Sequence, residues 1–220
     1  MHSNIIEHAK QSLALSKRQR EILVGLLLGD GHLEIQNQGR TYRLKIEHSL
    51  TQRDYVDWLY HEFSDWVLTG PQEKTQQVTW KNHEARTYQK YWFNTVSVGS
   101  FRFYAQQFYQ AKKKRIPRLI HKWITPCALA VWYMDDGAIK SNAHRIVLFN
   151  TQGFLKEDLV RLQGVLKKKF GIITTLRAQK EGWQIYVTSE GVAPFRTCVE
   201  PFILPSMRYK LPKIWLTKIA

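Results

Sequence analysis

The most constraining feature of this 220-residue chain is an apolar segment that occurs twice and ends each time in an acid followed by glycine. The copies are Leu23–Gly31, which contains Asp30, and Leu129–Gly137, which contains Asp136. An amphipathic surface helix normally keeps its charges on a separate face. If the two apolar segments pack on each other as helices, their ends bring two carboxylates together.

The chain is strongly basic, with 33 Lys and Arg against 18 Asp and Glu, a net charge of +15 and a pI near 9.9. This balance makes nucleic acid the first partner to consider, because phosphates neutralise such a surface. A basic protein without a polyanionic partner is the alternative. No apolar run approaches the ~18 residues of a membrane span, and the N-terminus lacks a signal-peptide pattern. We therefore predict an intracellular protein that is neither secreted nor membrane-bound.

Both halves predict the same order of elements: helix, strand, strand, helix, strand, strand, helix, and then a lysine before a proline. The lysines are Lys114, before Pro117, and Lys210, before Pro212. The pattern predicts an α/β (α+β) fold with two pseudo-symmetric αββαββα repeats. We place an N-terminal extension at 1–15, the first repeat at 16–120 and the second at 121–220.

The predicted elements follow from periodicity and from capping residues such as Ser16 and Thr125. The predicted helices span about 16–29, 51–66, 101–110, 125–136, 155–169 and 193–201. The predicted strands span about 32–36, 42–47, 76–82, 89–96, 145–149, 172–179 and 183–188.

The predicted strands alternate between apolar and polar residues. In 42–47, Tyr42, Leu44 and Ile46 alternate with polar residues, and in 32–36 Leu33 and Ile35 do the same. We expect the apolar face to lie under helices and the polar face to contact phosphates and base edges in a major groove. A solvated face without a ligand is the alternative. The predicted DNA-binding residues are His32, Glu34, Gln36, Arg40, Arg43, Lys45, Lys81, Lys140, Arg145, Arg177 and Gln179.

The two segments resemble the signature of the LAGLIDADG homing endonucleases, and the duplicated layout resembles the single-chain, two-repeat members of the I-SceI type. Further similar stretches are 39–42, 150–152 and 207–212. The resemblance implies antiparallel saddle sheets in the DNA major groove, with the two motif helices packed at the interface of the repeats. The third motif position is Gly25 in one copy and Val131 in the other. We therefore expect asymmetric packing, with Gly25 accepting Val131 or Trp132.

The chemistry of the helix ends predicts a metal site. Two nearby acids repel each other, and each lies at the negative end of a helix dipole, so the arrangement requires cations. Hard oxygen ligands suit Mg²⁺, with Mn²⁺ as a substitute, and a metal-bound water can serve as nucleophile. The predicted ligands are Asp30, Asp136 and the carbonyl of Gly29, and Asp135 is a further carboxylate that could compete with Asp136.

The resemblance implies that Lys114 and Lys210 steady developing charge or tune the water network. It also places Glu47 and Asn150 at matching strand ends that line the water pocket. These four residues, with Asp30 and Asp136, form the predicted catalytic set.

We predict a monomeric endonuclease that cuts both strands of a long, non-palindromic duplex DNA site in group I intron mobility. The alternative is a maturase that binds intron RNA on the same fold, and a non-catalytic DNA-binding regulator is a third possibility. The presence of both acids favours the endonuclease. The expected location is a mitochondrion, a chloroplast or a bacterial cytoplasm.

Overall fold

The structure is a computed structural model that describes residues 13–79, 85–140 and 146–216. The chain divides into two compact units. The first unit contains the residues up to Gln19 together with Gly31–Phe103, and the second contains Arg20–Asp30 together with the chain from Tyr104 onward. The second unit therefore includes the second motif segment and the first one up to Asp30. The division of the sequence into repeats at 16 and 121 stays a prediction.

The first helix begins at a capping box formed by Ser16 and Gln19. The Ser16 Oγ accepts the Gln19 N–H at 3.1 Å, and the Gln19 Oε1 accepts the Ser16 N–H at 3.0 Å. These two bonds satisfy donors that have no partner within the helix. The predicted helix start is therefore confirmed, and helix α1 spans Lys17–Leu28.

The first unit contains a four-stranded antiparallel sheet with strand order β1-β2-β4-β3. A helix, α2, follows the second strand. The elements are β1 (His32–Gln36), β2 (Thr41–Ser49), α2 (Arg53–Glu62), β3 (Gln72–Thr79) and β4 (Ala85–Asn94).

The second unit repeats this order after a short hairpin. Its four-stranded sheet has the order β7-β8-β10-β9 and is also antiparallel. The prediction of an α/β (α+β) fold with a duplicated arrangement is therefore confirmed. The elements that follow β4 along the chain are α3 (Arg102–Phe108), β5 (Tyr109–Gln110), β6 (Lys113–Lys114), α4 (Ile120–Trp123), α5 (Pro126–Asp136), β7 (Gly137–Ile139), β8 (Val147–Phe149), α6 (Lys156–Phe170), β9 (Thr174–Gln179), β10 (Gly182–Val187), α7 (Ser189–Val199) and α8 (Lys213–Leu216).

Several predicted strand boundaries are wrong. Strand β3 begins at Gln72 instead of Gln76, and β4 begins at Ala85 instead of Gln89. These ends are polar on both faces, so alternation does not mark them, and cross-strand pairing alone defines them. Tyr109 and Gln110, predicted as the end of the 101–110 helix, form strand β5 of the hairpin β5–β6 instead. The three-residue strand β7 is absent from the predicted elements.

The last long helix begins earlier than predicted, at Ser189 instead of Ala193. The Thr188 Oγ1 accepts the Gly191 N–H at 3.2 Å and thereby caps the helix. Pro194 lies inside the helix, at its midpoint. A proline is commonest at the very start of a helix, and for this reason the sequence favours the later start.

Burial confirms the inner face of β2 and corrects the predicted inner face of β1. Leu44 and Ile46 are buried, as predicted, and so is Leu33. Ile35, predicted on the same inner face as Leu33, is 64% exposed. It lies one residue from the end of β1, an edge strand, beside the following turn.

Periodicity predicts one apolar face for the helix over 155–169, made of Leu155, Leu159, Leu162, Leu166 and Phe170. Leu159, Leu162 and Leu166 are buried, but Leu155 is exposed and Phe170 is only partly buried. Leu155 is the extended residue that precedes the first turn, so it does not follow the helical face.

Within the described ranges, no helix combines the length and the apolar character that a membrane crossing requires.

The burial of β2 predicts opposite results for two leucines in the first unit. Leu44→Asp places an unpaired charge in the core and should lower the free energy of unfolding by about 3 kcal/mol or more. Leu68→Asp, at a residue that is 68% exposed, should change it by less than about 0.5 kcal/mol. Urea denaturation of both variants measures the difference, and equal stabilities would show that the sheet faces are assigned wrongly.

Candidate active site

The second unit packs α1 against α5 at very short distance. A Cβ added to Gly25 would lie 2.6 Å from the Ala128 carbonyl oxygen and 2.6 Å from the Val131 Cβ. A Cβ added to Gly29 would lie 2.3 Å from the Asp135 Oδ2. The expectation that Gly25 accepts a bulkier residue of the second motif is confirmed, and the residue is Val131.

Helix α5 is defined by local signals at both ends. Thr125 caps it, with its Oγ1 accepting the Ala128 N–H at 3.2 Å, and Pro126 occupies the first turn. Of its eleven residues, nine are buried. Asp136, the last residue of α5, is half-buried, and Asp30, which follows α1, is exposed.

Asp135 interacts with the end of α1. Its buried carboxylate accepts the Asp30 backbone N–H through Oδ2 at 2.9 Å. Gly29 leaves the space that this carboxylate occupies. Gly29 and Asp135 occupy the seventh position of the two motif copies, and they are complementary. Gly29 has no side chain, and Asp135 fills the space with a carboxylate that accepts a hydrogen bond.

Both predicted lysines reach the ends of the motif helices. Lys114 Nζ donates to the carbonyl oxygen of Gly29. Lys210 Nζ donates to the carbonyl oxygens of Met134 and Asp135, the latter at 2.6 Å. These carbonyls belong to the last turns, where acceptors lack partners within the helix. The structure therefore brings together four of the six predicted catalytic residues: Asp30, Asp136, Lys114 and Lys210.

Burial and the neighbouring charges shift the pKa values of Asp136, Lys114 and Lys210. Burial raises the pKa of Asp136 to about 7, the charge of Asp30 adds to this, and Lys114, Trp132 and Lys210 oppose it. Burial lowers the pKa of both lysines, and the neighbouring acids oppose that change. Three carboxyl groups (Asp30, Asp135 and Asp136) lie near only two ammonium groups (Lys114 and Lys210). A bound cation would offset this excess of acidic groups.

Asn150, a member of the predicted catalytic set, contacts the end of α5. Its backbone N–H and its Nδ2 both donate to the Asp136 carbonyl oxygen, at 3.0 and 3.2 Å. Its Oδ1 accepts a hydrogen bond from Gln184 Nε2 at 2.7 Å. Asn150 therefore extends the polar network from the end of α5 to strand β10.

Glu47, the predicted counterpart of Asn150, lies in the first unit among lysines. Lys74 Nζ and Lys90 Nζ donate to its carboxylate, the latter at 2.7 Å, and Lys45 Nζ lies at 3.6 Å. Burial alone would raise the pKa of Glu47, but the two hydrogen bonds lower it to about 2. Glu47 is therefore ionised at neutral pH, unlike the neutral amide of Asn150.

The described DNA-binding candidates divide between the two sheets. In the first unit, Glu34 pairs with Arg43 at 2.7 Å and with Lys45 at 3.7 Å. His32 and Arg40 are exposed and Gln36 is partly exposed.

In the second unit, Lys140, Arg177 and Gln179 are exposed, and the Arg177 guanidinium lies 4.3 Å from the Tyr186 ring centroid. Lys81 and Arg145 lie outside the described residues.

Sequence reasoning missed several residues that contact the site. Trp132 Nε1 donates to Asp136 Oδ2 at 3.3 Å, and the Tyr133 hydroxyl donates to the Lys210 carbonyl oxygen at 2.6 Å. The spacing of four residues between Trp132 and Asp136 was a usable signal, because such side chains are neighbours on a helix. Tyr133 and Gln184 reach partners distant in sequence, so no local pattern could identify them.

Residues 20–195 match the model of the LAGLIDADG DNA endonuclease family. The chain belongs to this family. It is 31% identical over 216 residues to the DNA endonuclease I-ChuI of Chlamydomonas applanata, with 90% of this chain and 96% of that protein covered.

Two further similar proteins, an endonuclease and a maturase, bear on the choice between these two functions. The structure of the homing endonuclease I-WcaI bound to its DNA recognition sequence superposes with a TM-score of 0.83 at 26% identity, covering 94% of this chain and 91% of that one. The cytochrome b mRNA maturase bI2 of Saccharomyces cerevisiae is 31% identical over 202 residues, with 86% of this chain but 46% of the maturase covered. The predicted family, fold and DNA endonuclease class are confirmed.

The contact at Gly25 predicts that added volume there weakens the LAGLIDADG helix pair. Gly25→Ala should lower the free energy of unfolding by about 1–3 kcal/mol, because the new methyl group meets the α5 backbone. Gly164→Ala is the matched control, since Gly164 lies in helix α6 with nothing within 4 Å of its added Cβ. It should raise stability by about 0.5–1 kcal/mol. A stabilising Gly25→Ala would show that the helices are not in close contact.

The raised pKa of Asp136 predicts a pH-dependent loss of stability without metal. Between about pH 4 and pH 7 the folded state holds the Asp136 proton more tightly than the unfolded state, so stability falls as pH rises. In chelator, Asp136→Asn should therefore become more stable relative to wild type as the pH rises from about 4 to about 7. Urea denaturation measures this, with the exposed Asp65→Asn as the control. Parallel pH profiles of wild type and Asp136→Asn would contradict the shift.

Proposed function

We propose that this chain is a site-specific homing endonuclease that makes a metal-dependent double-strand break in a long, non-palindromic DNA site. The observation that carries the proposal is the pair of acids, Asp30 and Asp136, at the ends of two helices in close contact. A lysine accompanies each end. The proposal agrees with membership of a DNA endonuclease family and with the likeness to I-ChuI.

The acids are suited to hold divalent cations. Asp30 and Asp136 would be the direct ligands, and Mg²⁺, with Mn²⁺ as a substitute, fits carboxylate and carbonyl oxygens. When bound, the metal would neutralise phosphate charge and lower the pKa of a coordinated water molecule. In our proposal, Asp135 acts mainly on Asp30, because its carboxylate already accepts the Asp30 N–H. The Gly29 carbonyl accepts a hydrogen bond from Lys114, so a ligand role for it requires Lys114 to move.

The remaining site residues have roles in placing charge and water. Lys114 and Lys210 present ammonium groups at the helix ends, where they can stabilise the negative charge that develops on a scissile phosphate. Asn150 and Gln184 form a hydrogen-bonded pair that can orient water beside Asp136. Glu47 is held by three lysines in the first unit, and we propose an electrostatic role for it rather than proton abstraction.

Double-stranded DNA is the proposed substrate, bound by the polar faces of the two sheets. Candidates for these contacts are the described residues His32, Glu34, Gln36, Arg40, Arg43, Lys45, Lys140, Arg177 and Gln179, together with Lys81 and Arg145. Glu34 holds the Arg43 side chain in place before DNA binds, which favours a defined geometry of base contacts. I-WcaI, a structural relative, is bound to its recognition sequence in the compared structure.

We also propose that the enzyme acts as a monomer, since one chain carries both motifs, and that it acts in group I intron mobility inside an organelle or a bacterial cell. Intron RNA binding is the second candidate function. The likeness to the yeast maturase bI2 favours it. Retention of Asp30 and Asp136 favours cleavage, because a purely RNA-binding protein has no use for a pair of metal-binding acids.

The acids and the metal can be tested together. A duplex first selected for cleavage by the wild-type protein from a randomised library serves as substrate. Asp30→Asn and Asp136→Asn should each slow double-strand cleavage in Mg²⁺ by at least ~100-fold. Both should still bind the duplex, because shape is kept and acid repulsion is reduced. Gel shift and cleavage assays give both readouts.

Ca²⁺ and a distant acid provide the controls for this experiment. Ca²⁺ should support binding with little cleavage, because it has looser coordination geometry and acidifies water less than Mg²⁺. Glu190→Gln, at an exposed residue of α7, should cleave like wild type. Full cleavage by either Asp→Asn variant would contradict the assignment, and binding without cleavage under every cation would favour the maturase or a regulator.

A further inference from the structure

A buried acid outside the proposed mechanism, Asp158, lies in the first turn of α6 with 2% of its side chain exposed. Arg115 Nε donates to its Oδ2 at 2.6 Å, and Arg161 Nη2 donates to its Oδ1 at 2.8 Å. The Ile116 backbone N–H donates to Oδ2 at 3.2 Å. Although burial alone would raise the pKa of Asp158, these hydrogen bonds lower it. The acid therefore stays ionised and fully paired.

Two partners of Asp158, Arg115 and Ile116, immediately follow Lys114 in the chain. Ile116 is held on both sides, since its N–H donates to Asp158 and its carbonyl accepts a hydrogen bond from Arg161 Nη2. Arg115 also donates through Nη1 to the Gln110 Oε1 at 2.6 Å. Arg115 thus joins strand β5 to helix α6, and the residues beside Lys114 have little freedom to move.

The hairpin that carries Lys114 needs such support. It has two residue pairs, Tyr109↔Lys114 and Gln110↔Lys113, and hairpins of this kind are marginal alone. Its turn residues Ala111 and Lys112 have φ values of 48° and 65°. Turns with two positive φ angles favour Asn-Gly, and a residue with a Cβ is strained there. The side chains at these two positions therefore make the turn costly, and contacts from elsewhere must help to hold the hairpin.

We propose that Asp158 is a positioning residue that, through Arg115 and Ile116, holds Lys114 against the Gly29 carbonyl at the end of α1. The inference rests on the proposed catalytic function of Lys114. The second lysine has a separate anchor, because the Tyr133 hydroxyl of α5 binds the Lys210 carbonyl. Loss of Asp158 should consequently impair the function of one lysine and spare that of the other.

The test compares Asp158→Asn with Lys114→Met and Lys210→Met in single-turnover cleavage of the selected duplex. Asp158→Asn should slow cleavage by roughly tenfold to a hundredfold, because a small displacement of a catalytic group has this effect. Its DNA affinity in Ca²⁺ should be unchanged. The nicked intermediate that accumulates should carry its nick in the same strand as with Lys114→Met, and not as with Lys210→Met.

The matched control is Glu157→Gln, at the neighbouring residue of the same helix. Glu157 also contacts Arg115, at 3.4 Å, but 72% of its side chain is exposed. Exposed ion pairs contribute little, so this variant should cleave like wild type. If Asp158→Asn does not fold, Arg115→Gln carries the same test, because it leaves Asp158 paired with Arg161 and should give the same strand bias.

Two combined variants separate positioning from a general loss of structure. Lys114→Met with Asp158→Asn should cleave no slower than Lys114→Met alone, because both changes act through one group. Replacing Ala111 by Asn and Lys112 by Gly relieves the turn and should restore part of the rate of Asp158→Asn. Additive losses, or no recovery, would overturn the proposal.

The outcomes distinguish this inference from the function on which it rests. Wild-type cleavage by Lys114→Met would remove the proposed role of Lys114. Slow cleavage by Lys114→Met, with normal cleavage by both Asp158→Asn and Arg115→Gln, would overturn only the positioning role of Asp158. A strand bias of Asp158→Asn like that of Lys210→Met would overturn it as well.

Discussion

The close contact between α1 and α5 is the constraint on which the candidate site depends. At Gly25 the two helices approach so closely that a single added carbon would meet both backbone and side-chain atoms of α5. Only a helix pair in this contact brings the residues after α1 beside the last residues of α5. The relative positions of Asp30 and Asp135 follow from that contact, and both lysines donate to carbonyls at the helix ends that it brings together.

The two motif copies are complementary rather than equivalent. Gly29 leaves space, and Asp135 fills it with a carboxylate that fixes the Asp30 backbone. Asp136 is half-buried with a raised pKa, whereas Asp30 is exposed. The lysines also differ in support, since Asp158 restrains the chain beside Lys114 and Tyr133 binds the carbonyl of Lys210. An asymmetric site suits an enzyme that cuts two strands of a non-palindromic target.

Most of the fold could be predicted from the sequence because its signals are local. Capping residues marked the starts of α1 and α5, and alternation marked β1 and β2. The boundaries that failed are those set by tertiary contacts. Strands β3 and β4 extend through polar residues that only cross-strand pairing holds, and the strained turn at Ala111 gives no favourable local signal for a hairpin.

The candidate site was predictable to the extent that it is repeated. The matched acids and lysines could be found because each occurs at the same place in both halves. Trp132, Tyr133, Asp158 and Gln184 occur without a counterpart in the pattern, and most of their partners lie far away in sequence. Asp135 was recognised as unusual, but its hydrogen bond to Asp30 depends on how α1 and α5 pack, which no local pattern contains.

We propose that the ends of α1 and α5 hold the divalent cations of the reaction. Anomalous diffraction from crystals of the protein grown with Mn²⁺ and its selected DNA duplex would locate these cations. We expect anomalous peaks at direct coordination distance from the carboxylates of Asp30 and Asp136, with Asp135 still bound to the Asp30 N–H. Peaks coordinated by other acids, or none at these two carboxylates, would contradict it.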